Sequence, residues 1–161
     1  MTKSGTGPAD ANGAEISVIT PVYNESNNIE PLLRRLVPVL ERCAASFEII
    51  FVDDGSTDDT LQSLRAAHHT DPRVRAISLS RNFGKEVAIA AGLDHASGAA
   101  IVIIDADLQH PPELIETFIA RWREGYKNVF AQRADHGVYS PLRRILTHRF
   151  YKFFGSVGDT S

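Results

Sequence analysis

Cysteine is almost absent. Cys43 is the single one in 161 residues, which excludes an internal disulfide and suits a reducing compartment. It closes a helical pattern and reads as small apolar filler, so thiol chemistry is not expected. Long hydrophobic runs are also missing, and none reaches the roughly 18 apolar residues of a membrane span. The opening stretch MTKSGTGPADANGAE has no apolar segment of the signal-peptide kind. It is small and polar, and residues 1–14 are expected to form a disordered tail. Neither sign of charge dominates: 17 Lys and Arg stand against 20 Asp and Glu, a net −3. No global field for nucleic acid follows, and no nucleic-acid partner is expected.

What is present is ordinary in amount and ordered in pattern. The apolar share is 43%, enough for one domain of this length to bury a core. EISVIT (15–20) reads as a strand ended by Pro21. Residues 26–43 carry Ile29, Leu32, Leu33, Leu36, Val37 and Leu40 at helical spacing, with Ser26 or Asn27 as cap and Pro38 as a kink. FEIIFV (47–52) is a continuous apolar run, the mark of a strand buried on both faces. A helix over about 58–69, a strand VRAISL (74–79), an Ala-rich helix over 84–97 and a strand AAIVII (99–104) follow. Pro111 and Pro112 open a helix that stops at Gly125, NVFAQ (128–132) reads as a fifth strand, and 141–157 as a last helix.

Strands alternating with helices predict an α/β fold with a parallel sheet, whose ligand site lies beyond the carboxyl ends of the strands. The residues at those ends are Pro21–Glu25, Asp53–Ser56, Ser80–Asn82, Asp105–Asp107 and Arg133. Every candidate polar group thus falls on one rim. In IVIIDADLQHPPEL (101–114), Asp105 and Asp107 share a side of the strand end, roughly 6.5–7 Å apart if it stays regular. Two unpaired acids so close repel. Mg²⁺ or Mn²⁺ relieves that conflict, because both prefer carboxylate oxygens and share their shell with substrate phosphates. Gln109 offers a further neutral oxygen. In VDDGST, Gly55 permits a positive-φ turn, and Asp53 or Asp54 is placed to accept from a ribose hydroxyl or a base N–H. FGKE lacks the G-x-x-x-x-G-K spacing of a P-loop, which leaves Lys85 open between a phosphate contact and a solvated helix start.

Together TPVYNE (20–25), VDDGST (52–57), SRNFGKEVAIAAGLDHASG (80–98), DADLQHPPE (105–113) and QR (132–133) resemble family 2 glycosyltransferases of the GT-A fold, closest to the polyprenyl-phosphate mannosyl- and glucosyltransferases. The resemblance runs from about Ile16 to Val157. It implies a Rossmann-like nucleotide-diphospho-sugar transferase domain with a mostly parallel central sheet over 15–135, and an inverting transfer of a hexose from a UDP-glucose or GDP-mannose type donor to a polyprenyl phosphate. It further implies that Pro21, Tyr23, Glu25, Val52, Asp54, Asp105, Ala106, Asp107 and Arg133 border the nucleotide-sugar, that Asp105, Asp107 and Gln109 hold the metal, and that Asp107 and Arg133 serve catalysis at the donor phosphates. An anionic acceptor needs alignment more than deprotonation, so no catalytic His or Ser is required.

Two departures accompany the resemblance. His110 stands where relatives often carry an acid. Relatives also continue into a G-D-F segment bearing an acceptor-side acid, whereas FGSVGDTS does not match it, so that role is not carried onto Asp159. The chain is therefore expected to be a donor-binding half that ends before the acceptor half. Residues 136–161 are expected to form an amphipathic segment, with Leu142, Ile145, Leu146, Phe150, Phe153 and Val157 on one side and Arg143, Arg144, His148 and Lys152 on the other. Such a helix suits a membrane surface, and the expected location is the cytoplasm or the cytoplasmic face of a membrane. Two alternatives stand beside the transferase. One is a non-catalytic nucleotide-sugar-binding fragment. The other is a D-x-D phosphohydrolase, which would place its acid pairs in the opposite order.

Overall fold

The computed structural model describes residues 14–131. The chain divides into two compact units, Met1–Phe130 and Ala131–Ser161, and the fold described is that of the first. Its elements are β1 (Ile16–Val22), α1 (Ser26–Cys43), β2 (Phe47–Asp53), α2 (Thr60–Thr70), β3 (Val74–Ser78), α3 (Lys85–His95), β4 (Ala100–Ile103) and α4 (Leu114–Arg123). The four strands form one sheet in the order β3-β2-β1-β4, and every pairing is parallel.

Strand alternation splits the core in two. Ile16, Val18 and Val22 of β1 join Phe47, Ile49 and Phe51 of β2 on one face, under Leu32 and Leu36 of α1, Leu64 of α2 and Ile115 and Ile119 of α4. Ile19, Ile50 and Val52 turn to the other face and meet Ala88 of α3. β2 is buried at all seven positions, Glu48 and Asp53 included, as a strand covered on both faces requires. β4 differs. Ala100 and Val102 join the first core, while Ile101 and Ile103 on the opposite face are 42% and 49% exposed.

Three expectations are corrected. β1 does not stop at Pro21 but runs to Val22, with Pro21 opposite Val52. The oxygen of Ile19 accepts from Ile104 N–H on the β4 side. Pro21, two residues on, faces the same side, where β4 no longer pairs, so its missing N–H interrupts no ladder. α4 begins at Leu114 rather than at the prolines, which instead close two turns through Leu114 N–H to Pro111 O and Ile115 N–H to Pro112 O. Gly125 does end the helix, at φ 101. The strand expected over 128–132 is not formed across 128–131: Phe130 is 80% exposed and no neighbouring strand pairs with the stretch among the described residues. The helix expected over 141–157 and nearly all of the expected disordered tail lie outside the described residues. Among those described, no helix is long and apolar enough to cross a membrane.

Candidate functional site

The chain runs from β1 through β2 to β3 in one direction, then returns to place β4 on the far side of β1. In such sheets this reversal opens a crevice at the carboxyl ends of the two strands where the order switches. A cleft of about 300 Å³ lies there, lined by the ends of β1, β2 and β4, the loop after β3 and the start of α3. That volume is at the lower end for small-molecule sites.

Its walls are fixed by loops bonded to one another. Asn24 adopts a left-handed conformation (φ 55). Its N–H donates to Ser56 Oγ, and its side-chain oxygen accepts from Thr57 N–H, both at 2.9 Å. Glu25 N–H donates to Thr60 Oγ1, and Asp58 accepts from both Ser26 N–H and Thr60. The Thr60 hydroxyl bond, with the others, holds the Asp58 carboxyl at about 2. Gly55 turns at φ 71, and a Cβ there would come within 2.4 Å of the Arg81 backbone carbon. The turn after β2 and the loop after β3 are therefore in backbone contact, closer than any side chain allows.

The two acids ending β2 are committed to this scaffold. Asp53 is buried and accepts from Ser56 N–H (3.0 Å) and Ser78 Oγ (3.2 Å). Asp54, also buried, accepts from Phe83 N–H (2.8 Å) and Gly84 N–H (2.9 Å), one on each oxygen. It lines the cleft, but both oxygens already hold the loop that starts α3.

The acids after β4 are differently placed. Asp105 and Asp107 both line the cleft. Asp107 is exposed and accepts from Gln109 N–H at 3.0 Å, within a turn that takes Leu108 to φ 57. Asp105 is met at 2.6 Å by the Lys85 ammonium. Among the described residues no group of three or more His, Cys, Asp or Glu is able to hold a metal ion alone. Two carboxylates with hard oxygen donors fit Mg²⁺ or Mn²⁺, which complete their shells with phosphate and water. One of the two carboxylates, Asp105, already has a cation beside it, the Lys85 ammonium.

Of the residues singled out from sequence, Pro21, Tyr23, Glu25, Asp54, Asp105, Ala106 and Asp107 line one cleft. Val52 does not: it is fully buried against α3. Gln109 is not in the lining either, and its N–H braces Asp107. Arg133 lies outside the described residues. Lys85, open in sequence between a phosphate contact and a solvated helix start, lines the cleft, as do Asn82 and Gly84, which carry no expected role. Their signal is positional, since they stand between β3 and the start of α3 on the same rim. Cys43 is partly buried against the core, and burial pushes its thiol up, which agrees with a filler role.

A sequence model described as Glycosyl transferase family 2 matches residues 17–159. An uncharacterized glycosyltransferase of Synechocystis, sll0501, is 44% identical over 145 residues, covering 90% of this chain and 46% of that protein. The bactoprenol glucosyl transferase of Shigella phage SfV is 40% identical over 143 residues, covering 89% of this chain and 47% of its own length. The chain thus spans about half the length of these curated relatives. Among solved structures, glucosyl-3-phosphoglycerate synthase from Mycobacterium tuberculosis, in complex with Mn²⁺, UDP and glucosyl-3-phosphoglycerate, aligns with TM-score 0.55 and 28% identity, over 68% of this chain and 40% of that one.

Proposed function

Because the chain belongs to glycosyl transferase family 2, we propose that it forms the donor-binding part of an inverting hexosyltransferase that moves a sugar from a nucleoside diphosphate to a polyprenyl phosphate. The observation that carries this reading is the convergence of Asp105 and Asp107 with Pro21, Tyr23 and Glu25 on one cleft at the switch point of the sheet. The bactoprenol glucosyl transferase relative supports the lipid acceptor, and the synthase complex supports a nucleotide held with a divalent cation. The family match leaves the phosphohydrolase alternative without support.

Asp105 and Asp107 would hold the cation, Mg²⁺ or Mn²⁺, with Gln109 bracing Asp107 through its backbone. The cation supplies neutralisation of the charge that develops on the departing diphosphate. Tyr23, 43% exposed at the cleft, offers a face for the base. Pro21 and Glu25 border the nucleoside, and the tied loops keep these groups from reorganising as charge develops. Ala106, small and buried, lets the backbone between the acids approach the donor closely. Val52 contributes from below by fixing α3, and Asp54 by fixing the loop that begins it. Arg133 is assigned to the same phosphates, and the basic, apolar stretch 141–157 to the membrane surface where the acceptor resides. The domain limits 15–135 and 136–161, and a site of action at the cytoplasmic face, belong to the same proposal.

Calorimetry with UDP and GDP tests it, with and without Mn²⁺, for wild type and Asp107→Ala. One nucleotide should bind only with Mn²⁺, and the variant should lose about 100-fold or more of that affinity. A folded wild type that binds neither nucleotide would overturn the reading. Turnover with polyprenyl phosphate then separates a transferase from a protein that only binds the donor.

A further inference from the structure

The lining of the cleft is unbalanced in charge. Glu25, Asp54, Asp105 and Asp107 contribute four carboxylates, and Lys85 the single ammonium among its described residues. A diphosphate entering such a cleft meets net repulsion unless cations compensate. Three of the acids have identified neighbours of their own: Asn28 Nδ2 on Glu25, two backbone N–H groups on Asp54, and Gln109 N–H on Asp107. Asp105 has the ammonium, at 2.6 Å.

Lys85 cannot drift from this position at its root. It is the first residue of α3, directly after Gly84 at φ 99. Asp54 clamps the N–H groups of Phe83 and Gly84, at 2.8 and 2.9 Å. A Cβ on Gly84 would meet nothing nearer than Glu86 Oε2 at 3.7 Å, so the backbone angle, not crowding, calls for glycine. The stem is thus held by a buried carboxylate, while the ammonium, on a side chain 53% exposed, reaches Asp105, itself 36% exposed.

We infer that Lys85 is a positioning residue that couples metal binding to diphosphate binding, by competing with the divalent cation for Asp105 and turning to the diphosphate once the cation has taken that carboxylate. The inference rests on the nucleotide-sugar reading of the cleft. The magnitudes allow such an exchange. An exposed pair of this kind is weak, so it reduces the affinity for a bare cation by only about two- to fivefold. A cation bridging two carboxylates and a diphosphate overrides it easily. The released ammonium then faces the diphosphate instead of the Asp105 carboxylate, and a charged hydrogen bond there contributes about tenfold or more in affinity. The cleft would therefore disfavour the metal alone and favour the metal with its diphosphate, and by linkage the coupling is reciprocal.

The test is Mn²⁺ titration of the full chain, read by the electron paramagnetic resonance of free Mn²⁺. It is run alone and with saturating UDP or GDP, whichever the wild type binds. Lys85→Met should bind Mn²⁺ alone about two- to fivefold more tightly and the Mn²⁺–nucleotide pair about tenfold more weakly. Lys85→Arg, which keeps the charge and the reach, should recover most of both. Opposite signs in the two arms are the signature. A structural role would weaken both, and a simple phosphate contact would leave Mn²⁺ alone unchanged; either result overturns the coupling. A wild type that binds neither Mn²⁺ nor its nucleotide complex overturns the donor-site reading and the inference with it. Normal wild-type binding with an unaltered Lys85→Met overturns the role of Lys85 alone. Thermal melting confirms that each variant is folded.

Discussion

The two ends of this parallel sheet use the same chemical group in opposite ways. At the amino end, Glu48 of β2 is buried and receives four donors. Ser17 Oγ, Ser97 N–H and Ser97 Oγ each lie 2.7 Å from its Oε1, and Arg75 binds Oε2. That one carboxylate joins β1, β2, β3 and the turn entering β4. At the carboxyl end, Asp105 and Asp107 are more exposed and far less engaged, with one ammonium on the first and one backbone N–H identified on the second. A saturated buried acid is a fastener. An acid aimed into a cleft with little holding it keeps its charge available for something else.

The largest expected effect breaks that contrast at the carboxyl end. Asp105→Asn removes half of the carboxylate pair, and on the proposed transferase reading turnover should fall about 100- to 1,000-fold. Stability should change by less than about 0.5 kcal/mol, because the Asp105 side chain is 36% exposed and its partner is a surface lysine. Paired activity and denaturant measurements check this. A stability loss comparable with that of a core variant would mean that Asp105 is a fastener too.

The reverse pattern is expected at the amino end. Glu48→Gln should leave nucleotide affinity unchanged and destabilise the fold by about 2 kcal/mol, since it sets an amide N–H₂ among donors and strips Arg75 of its anionic partner. Unfolding as a function of pH sharpens the point. Burial alone would raise the Glu48 pKa, but the bonds from Ser17, Ser97 and Arg75 outweigh it and hold the carboxyl at about 2, below its usual 4.5. A depressed carboxylate stabilises the fold above its unfolded pKa and loses that contribution as pH falls through its folded one. The loss should thus run from about pH 4.5 down to about 2, on the order of 2 kcal/mol after allowance for solvent screening. The Gln variant should flatten the curve across that window, and an unchanged slope would remove Glu48 from the account.

The two ends were not equally legible in the sequence. Asp105 and Asp107 stood out because they interrupt an apolar run, and a run ending in acids marks a strand end on the ligand side of the sheet. Glu48 stands within FEIIFV, but its role is not legible there, since its partners lie at Ser17, Arg75 and Ser97, far off in sequence. Asp54 shows the converse limit. Its place on the rim was readable, but that both oxygens hold the loop before α3 depends on a backbone path no local pattern announces. The strands and helices of 16–123 followed from apolar runs and spacing, alanine content and the prolines and glycine at helix ends, apart from the end of β1 and the start of α4. The missing strand at 128–131 did not, because strand propensity forms no ladder where no strand among the described residues lies beside it.

The smallest expected effect asks whether being paired is enough to make an acid a fastener. Glu116 of α4 accepts from Arg42 Nε (3.1 Å) and Nη2 (2.7 Å) of α1, as well-formed a contact as any at Glu48. The difference is water: these two side chains are 58% and 43% exposed. Solvent screens the attraction, and ordering two long side chains offsets much of what remains. Arg42→Ala should therefore cost less than about 1 kcal/mol, and less again in 1 M salt, where the screening length falls to about 3 Å. Urea unfolding at low and high salt measures both. A cost matching that of Glu48→Gln would show that hydrogen-bond geometry alone separates the two ends of the sheet. The expected small cost means that burial is what turns a paired carboxylate into a structural one, and that the less buried acids Asp105 and Asp107 are available because few protein donors hold them.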